Sequence, residues 1–400
     1  MIEKPDIRPL KGMRVIEVGQ LLAGPFTGTI LGYFGAEVIK IEPPETGDPI
    51  RGWREVKDGT SLWWRSLARN KKCITIDLKS KNGQELLKDL VQTADVFVEN
   101  FKPGTMEKWG LGPDDVKKKN PGLIYARISG YGQTGPYAKK AGFASVCEAF
   151  GGFRYVNGFP GGAPVRPNIS IGDTLAGIHA ALGVLLAYIG RQSSGEGQVV
   201  DVAIFEGLFN LLEGVIPEYD GAGIIREPSG TAITGIVPTG TYRCKDDRLI
   251  VIGANTNSMF KRLTNAMDKP ELGADPRLSE NTGRVEHQKE IEEAIEAWTL
   301  TLDSTEALLK LDEVSVAAGP ILNVKDMFEN EQYQARELFQ EVTIDGKPLS
   351  IPAIIPRLSK TPGETDFPGP DLGQHNEEVL KNILGLSDEE INTLKKNGII

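Results

Sequence analysis

The chain is poor in the residues that hold metals and staple small folds. Of 400 residues, three are cysteine (Cys73, Cys147, Cys244) and three are histidine (His179, His287, His375). Cysteines odd in number and far apart argue against a disulfide framework and for a reducing, cytoplasmic setting. The histidines show neither HxxxH nor any Cys/His spacing, so no metal site is expected and each reads as a core or capping residue. There is no GxSxG elbow of the serine-hydrolase kind. GxGxxG is missing too: the stretch Ala23-Gly24-Pro25-Phe26-Thr27-Gly28 offers a loop for a phosphate and Glu42 stands where a dinucleotide-binding acid would stand, but Pro25 removes one of the amides needed. The longest near-apolar run, Ala180 to Ile189, is too short for a bilayer, and the amino terminus carries acids rather than an apolar leader, so a soluble, untargeted chain without membrane contact is expected. Positive charge is in deficit, with 45 Lys and Arg against 55 Asp and Glu. The resulting net charge of −10 disfavours nucleic-acid partners but leaves room for a local basic pocket.

What is present is α/β punctuation. Arg14 to Val18, Ala36 to Glu42, Cys73 to Leu78, Asp95 to Glu99 and Leu123 to Ile128 read as strands with helices between them, the spacing of a doubly wound parallel sheet. After a central apolar helix, Val199 to Ala203 is a further strand leading into a helix from Phe205 to about Val215. This sets a large domain over 1–216, a Gly/Pro/Ser-rich linker over 217–235, a smaller α+β domain over 236–327 and a second linker over 328–350. A carboxyl-terminal segment over 351–400 then returns to the large domain. The small domain is announced by a hairpin, Thr241 to Cys244 with Leu249 to Ile252.

Ligands of parallel sheets bind at the carboxyl ends of the strands, where the loops Pro43 to Asp48 and Ser129 to Pro136 fall. Basic residues gather there (Arg69, Asn70-Lys71-Lys72, Lys79, Lys102, Lys108, Arg127), interleaved with Trp53, Trp63, Trp64, Phe101 and Trp109. Cations for phosphate and aromatic faces for a base suit a phosphorylated adenine carrier. The glycine-bearing loops Gly130 to Pro136 and Gly253 to Ser258 read either as tight turns or as donors and lids over an intermediate.

The remaining chemistry is concentrated in Ile171-Gly172-Asp173, at the mouth of the apolar segment Leu175 to Ile189, which reads as a buried helix. Two readings of Asp173 stand side by side. As an N-cap it would accept a backbone hydrogen bond. As a nucleophile it would be an ionised carboxylate on a rigid mount, able to attack an acyl thioester and give a mixed anhydride.

Taken in order, Pro9-Leu10-Lys11-Gly12-Met13-Arg14-Val15-Ile16, Ala23-Gly24-Pro25, Leu31 through Glu42, Gly47-Asp48, Asn70-Lys71-Lys72, Ala94 through Phe101, Gly130-Tyr131-Gly132, Ile171-Gly172-Asp173, Gly195-Glu196-Gly197-Gln198 and Leu372-Gly373-Gln374-His375 form a pattern that covers nearly the whole chain. In these stretches the sequence resembles the family III CoA-transferases, the group of formyl-CoA transferase and carnitine CoA-transferase. The resemblance implies that Asp173 is the nucleophile, forming aspartyl anhydride and aspartyl-CoA thioester intermediates. It implies an interlocked dimer, each chain a ring threaded through its partner, as homodimer or heterodimer with a related chain. A CoA thioester is then a substrate and no cofactor is bound permanently.

By position in the pattern, Asn100 and Phe101 match residues lining the CoA site, Lys79 and Lys108 match basic residues near its phosphates, and Trp53 matches a tryptophan near the active site. Asn70 and Lys71 complete the candidate set. The chain departs from formyl-CoA transferase at Leu22 (glutamine there), at Pro43 (arginine there), and in Ser229 to Gly235, which stands where that enzyme has a tetraglycine lid. Ala144 replaces an acid found in many members. Ser61 to Asn70 and Phe150 to Tyr155 look closer to members that use succinyl-CoA with a dicarboxylic acceptor such as malate, benzylsuccinate or itaconate. Arg65, Arg154 and Arg166 are candidates for clamping a distal carboxylate. The alternatives are an acyl-CoA racemase or epimerase using acid/base chemistry, and a non-catalytic subunit of a heteromeric transferase.

Overall fold

Strands rich in Val and Ile and without polar alternation require cover on both faces, and all but the edge strand Val199–Ala203 of the sheet they build have it. In the computed structural model, which describes residues 7–400, six strands pair in parallel. They are β1 (Arg14–Glu17), β2 (Glu37–Glu42), β3 (Lys71–Thr75), β4 (Val96–Glu99), β5 (Ile124–Ser129) and β6 (Val199–Ala203). Their order across the sheet is β3-β2-β1-β4-β5-β6. The four helices that matter for the site are α1 (Ala23–Tyr33), α2 (Ala144–Phe150), α3 (Ile171–Ser194) and α4 (Ile204–Phe209).

Side chains alternate strictly across the pleat, so one strand feeds two cores. Val15, Val38, Val96 and Val98 pack with Leu31, Ala176, Ala180 and Val184 of α1 and α3. Ile16, Ile39, Ile41 and Phe97 pack on the other face with Leu86, Leu87 and Leu90 of the helix Lys81–Gln92 and with Val379, Leu380 and Ile391 of the carboxyl-terminal helices. The doubly wound sheet is therefore as the strand spacing predicts, and the order reverses between β1 and β4.

The chain divides into two compact units. The first takes in the chain to Phe153, Pro167–Glu213 and Arg336–Ile400; the second takes in Arg154–Arg166 and Gly214–Ala335. Three boundaries differ from those expected. The stretch over 217–235 is not a bare linker, because the helix Val215–Ala222 begins it. Residues 154–166 belong with the second unit. The second linker contains a hairpin of the first unit, Phe339–Ile344 paired with Lys347–Pro352. The second unit has its own core around a three-stranded antiparallel sheet, held by the fully buried Arg284, whose guanidinium donates to the carbonyls of Val237 (2.9 Å) and Asn255 (2.8 Å).

The apolar helix is longer than the run that announced it and is not buried all round. By length and composition alone α3 could cross a membrane. Gly172, Ala176, Gly177, Ala180, Ala181, Val184 and Ala187 are buried, whereas Ile178, Leu182, Leu186 and Ile189 are exposed. Small residues on the inner face bring the backbones close. A Cβ on Gly177 would stand 3.0 Å from the Ala23 carbonyl, and one on Gly183 would stand 2.5 Å from Val200.

Candidate active site

The carboxyl edge of the sheet at the β1/β4 reversal is where an open α/β sheet parts to form a crevice. Here the crevice is stitched at backbone level. Asn100, directly after β4, accepts from the Gln20 amide with its side-chain oxygen and donates to the Gln20 carbonyl with its nitrogen, both at 2.8 Å. Leu21 takes a left-handed φ of 63°, uncommon for a leucine, and its amide donates to Asp48 at 3.0 Å. Asp48 also accepts from Lys40 Nζ (2.8 Å) and from the Ile50 amide (3.1 Å), so one buried carboxylate ties the loop after β1 to the turn Pro49–Gly52 that presents Trp53. Trp53 is about half exposed (47%).

Beneath this edge lies an ion cluster. Lys71 Nζ donates to both oxygens of Glu17 (2.9 and 3.1 Å) and to the Pro25 carbonyl; Lys40 stands 3.4 Å from Glu17. Burial works against the charge on both lysines. For Lys40 the carboxylates of Asp48, Glu17 and Glu42 more than offset it, and its pKa lies above the ordinary value. For Lys71 burial wins, and its pKa lies below. Glu42 grips Arg51 through two bonds of 2.7 and 2.8 Å and accepts from the Asp48 amide. With both oxygens so used, it does not stand ready for a ribose. Ala23–Gly28, expected as a phosphate loop, lies inside α1.

Several expected ligands of CoA are turned inward. Lys71 is 1% exposed and committed to Glu17. Asn70 is buried, and its amide bonds the carbonyls of Gly32 and Glu364 and the Asp366 amide, fastening the returning carboxyl-terminal segment. Arg65, a candidate carboxylate clamp, instead holds that segment through the Gly369 carbonyl (2.8 Å) and Asp371 (2.9 Å). Arg69 donates to the Pro352 carbonyl, and Arg127 pairs with Glu99 and Glu107. Arg154, half-buried, and Arg166, exposed, lie in the second unit.

What stays at the surface of the first unit is Lys79, Lys102 and Lys108, exposed and without an ion pair among the described residues, together with Phe101, which packs edge-to-face on Trp109 at 5.4 Å. Glu99 orients that loop by accepting from the Phe101 amide at 2.8 Å. Burial pushes the Glu99 carboxyl up, to about 7, against the opposing pull of Arg127.

Asp173 occupies the first turn of α3, inside the helix rather than at its cap; the cap position is Ser170, whose side chain makes no capping bond. The N-cap reading therefore gives way. Asp173 is half-buried, one helical turn before Gly177, whose carbonyl accepts from Thr27 of α1 at 3.3 Å. Since α1 begins at the crevice loop, this contact brings the first turn of α3 beside the β1/β4 edge.

The other flank is built by α2 and α4. Gly172 is enclosed by Glu148, Ile204 and Leu208, each within 3.3 Å of where a Cβ would be. Gly130 and Gly142 pack Cα to Cα so closely that neither admits a side chain, and Cys147 donates its thiol to the Gly130 carbonyl. Burial, with Asp173 and Glu148 adding negative charge, pushes the Cys147 thiol up to about 11. It is therefore a neutral thiol and no rival nucleophile.

All three cysteines are free and buried. A thiol reagent at neutral pH is expected to count none in the native protein and three after unfolding; a native count of one would contradict this packing.

His179 bonds the Leu175 carbonyl through Nδ1 at 2.9 Å, and His375 accepts from the Cys73 amide at 3.1 Å. The Gly253 to Ser258 loop is a helix cap in the second unit, Thr256 accepting from the Met259 amide. Among the described residues no three His, Cys, Asp or Glu side chains are grouped to hold a metal. Glu148, Glu17 and Lys40 are not singled out by the sequence reading, although a charge inside a strand as apolar as Val38-Ile39-Lys40-Ile41 signals a buried pair.

Comparison with known proteins falls on the same elements. The model of CoA-transferase family III matches residues 10–376. A succinyl-CoA:D-citramalate CoA-transferase of Chloroflexus aurantiacus is 48% identical over 98% of both chains. The alpha subunit of a succinyl-CoA:L-malate CoA-transferase of Chloroflexus aurantiacus is 42% identical over 98% of this chain and 92% of its own. Among solved structures, a CAIB/BAIF family protein from Brucella suis superposes with a TM-score of 0.84 at 31% identity, covering 94% of this chain and 99% of its own.

Proposed function

Because the chain belongs to CoA-transferase family III, we propose that it moves CoA from succinyl-CoA to a second dicarboxylic acid by covalent catalysis at Asp173. The observation that carries this reading is the placement of Asp173. A carboxylate in the first turn of a long helix is kept ionised by the helix end, and its mount is fixed by the close contact of α3 with α1. Its oxygen adds to the thioester carbonyl, the C–S bond breaks, and CoA leaves as thiolate, giving a mixed anhydride. The thiolate returns to the aspartyl carbonyl and frees the donor acid as carboxylate. The acceptor carboxylate attacks the aspartyl thioester and the thiolate then attacks the acceptor's acyl carbon, restoring Asp173. No electrons or protons are gained or lost. Neither a metal nor a redox group takes part in this sequence.

Lys79, Lys102 and Lys108 are positioned on the first unit to meet the CoA phosphates, and Phe101 with Trp109 to meet its base. The named relatives act with succinyl-CoA on hydroxylated dicarboxylates, so the acceptor is assigned to that class. Association with a second chain is supported by the exposed apolar stripe of α3 and, in the second unit, by exposed Ile216, Tyr219, Ile224 and Ile225 around a cavity of about 590 Å3; its interlocked form is what the family resemblance implies. The buried unpaired thiols suit a cytoplasmic setting.

The deciding experiment incubates the protein, expressed alone, with succinyl-CoA and a panel of citramalate, malate, glutarate, itaconate and benzylsuccinate. A hydroxy-dicarboxylate is expected to give the highest kcat/KM, and intact mass is expected to show a CoA adduct on the Asp173 peptide. Turnover with monocarboxylates alone would overturn the substrate reading; exchange of solvent deuterium into the acyl α-carbon without an acceptor would replace transfer by racemisation.

A further inference from the structure

A single guanidinium holds two carboxylates at the carboxyl edge of the sheet, one before and one within the loop that presents Phe101 and Trp109. Arg127 of β5 donates from Nε to Glu99 at 2.7 Å and from its terminal nitrogens to Glu107 at 2.7 and 3.2 Å. Glu99 ends β4, and its other oxygen accepts from the Phe101 amide at 2.8 Å. Glu107 lies in the helical turn Thr105–Lys108, directly before Trp109. The loop is thus gripped beside its first aromatic ring and near its second, and the two rings meet edge to face at 5.4 Å between these anchors. Gly112 leaves room for the grip, since a Cβ there would stand 2.9 Å from Glu107 Cγ.

We propose that Glu99, Arg127 and Glu107 are positioning residues for CoA: their clasp fixes the spacing of Phe101, Lys108 and Trp109 and so sets the affinity for the nucleotide end of CoA, with no part in the transfer step. The inference rests on the reading of this loop as the CoA site. A loop already held in its binding form spares the ligand the cost of ordering it, and affinity falls in proportion to the fraction of chains in that form. Both partners of Glu99 are pure donors, a guanidinium N–H and a backbone N–H, so both of its oxygens must accept. Protonation turns one of them into a hydroxyl that faces a donor, and one anchor weakens. Burial pushes the Glu99 carboxyl up to about 7, with the Glu107 charge adding to the rise and Arg127 and the Phe101 amide pulling down. The sign follows: the clasp is complete above that pH and loosens as the pH falls through it.

The other charged groups around Glu99 are engaged or at the surface. On β1, Ile16 and Val18 share its face, while Glu17 is held by Lys71. On β5, the Tyr125 hydroxyl donates to the Leu111 carbonyl at 2.7 Å. The helix Lys81–Gln92 turns Leu86, Leu87 and Leu90 inward and pairs Lys88 with Glu85. Lys102 and Lys108 of the loop and Asp114 and Asp115 of the next helix are exposed, and Asp201 of β6 accepts from the Gln133 amide. On the opposite face, α1 has no charged side chain.

The test measures the Kd of CoA itself by calorimetry on the full chain between pH 6 and 8, with kcat and KM for succinyl-CoA read alongside. CoA binding needs no reaction at Asp173, so the measurement stands whatever the nucleophile. Glu99→Gln keeps one acceptor oxygen and places an N–H where the second was, like the protonated acid. At pH 8 it is expected to bind CoA about tenfold more weakly than the parent, the scale of one hydrogen bond to a charged group. By pH 6 the two are expected to converge, a comparison in which the ionisation of CoA's own phosphates cancels. At saturating succinyl-CoA, kcat of the variant is expected to stay within about twofold of the parent, the signature of a loss confined to binding. Glu107→Gln, at the exposed end of the clasp, is expected to weaken CoA about threefold at pH 8 and to move the acid limb of Kd down, because the Glu107 charge helps to raise Glu99. Phe101→Ala is the control on the site, expected to bind CoA roughly tenfold more weakly. If Phe101→Ala weakens CoA while Glu99→Gln binds it as the parent does at pH 8, the clasp is scaffold alone and the proposal is overturned, even where the melting temperature falls. If Glu99→Gln does not fold, an unchanged Kd and acid limb in Glu107→Gln overturn it. If Phe101→Ala binds CoA as the parent does, the reading of this loop as the CoA site is overturned instead.

Discussion

Asp173→Asn is expected to abolish transfer, lowering kcat by roughly 10⁴- to 10⁶-fold, the scale on which covalent catalysts lose rate when the nucleophile is removed. The substitution is nearly isosteric and sits inside α3 rather than at its cap, so the helix start keeps its shape. The amide it introduces is a poor nucleophile and carries no charge. KM for the acyl-CoA is expected to change little, because the exposed cations and the Phe101–Trp109 pair of the proposed CoA site lie on other elements. The adduct seen by intact mass is expected to vanish with the rate. Asp173→Glu is the sharper control: its carboxylate is retained but displaced by about one methylene, and misplacement on the order of 1 Å costs about a hundredfold where attack requires alignment. Near-parental turnover in Asp173→Asn would mean transfer between acids with no aspartyl anhydride or thioester, and the mechanism would fall.

Much of this architecture was legible in the chain. Alternation of short Val/Ile-bearing strands with helices marks β1 to β6, although β3 carries Lys71 and Lys72 and the edge strand β6 alternates exposed with covered residues. The helix Lys81–Gln92, the hairpin of the second unit and the last two helices were legible through periodicity and capping residues such as Ser80 and Ser387. Domain borders were harder, because a contact-based unit need not be contiguous: Arg154–Arg166 leaves the first unit and Pro167 returns to it, with no compositional break at either point.

The site divided along a physical line. A lone acid before an apolar helix is visible in one dimension, so Asp173 stood out. Whether a cation faces solvent or the core is decided by register and by partners far away in sequence. Lys71 and Lys79 are eight positions apart and alike in composition of surroundings, yet Lys71 meets Glu17 from β1, whereas Lys79 stays outside. Asn70 and Arg65 turn to the scaffold for the same reason, their partners Glu364 and Gly369 lying far along the chain, in the returning segment. Family resemblance marks such positions without distinguishing those that touch substrate from those that hold the scaffold.

The second large effect is on folding. Glu17→Gln is expected to destabilise the protein by about 3–5 kcal/mol, the range for stripping one partner from a buried ion pair. Glu17, Lys40 and Lys71 are all at most 1% exposed, and Gly28 is glycine beside them because a Cβ would collide with Glu17 Oε2. Lys40 keeps Asp48 as counter-ion, but Lys71 is left with one carbonyl, that of Pro25. Its escape is to fold neutral. Deprotonating an ordinary lysine at pH 7 costs about 4.6 kcal/mol, from about 3.4 units at 1.36 kcal/mol each, which sets a ceiling near the same figure. The sign of the pH dependence follows. In the variant the unfolded chain binds a proton that the native state does not, so stability rises with pH, and the deficit relative to the parent is expected to shrink by about 1.4 kcal/mol per unit between pH 7 and 9. Urea unfolding midpoints at several pH values measure it. Adding Lys71→Met to Glu17→Gln removes the stranded ammonium and is expected to recover most of the loss, as replacing a whole buried pair by apolar groups costs far less than breaking it. A deficit below about 1 kcal/mol, or one flat with pH, would show that water reaches the cluster and that Lys71 is not dependent on Glu17 for its charge.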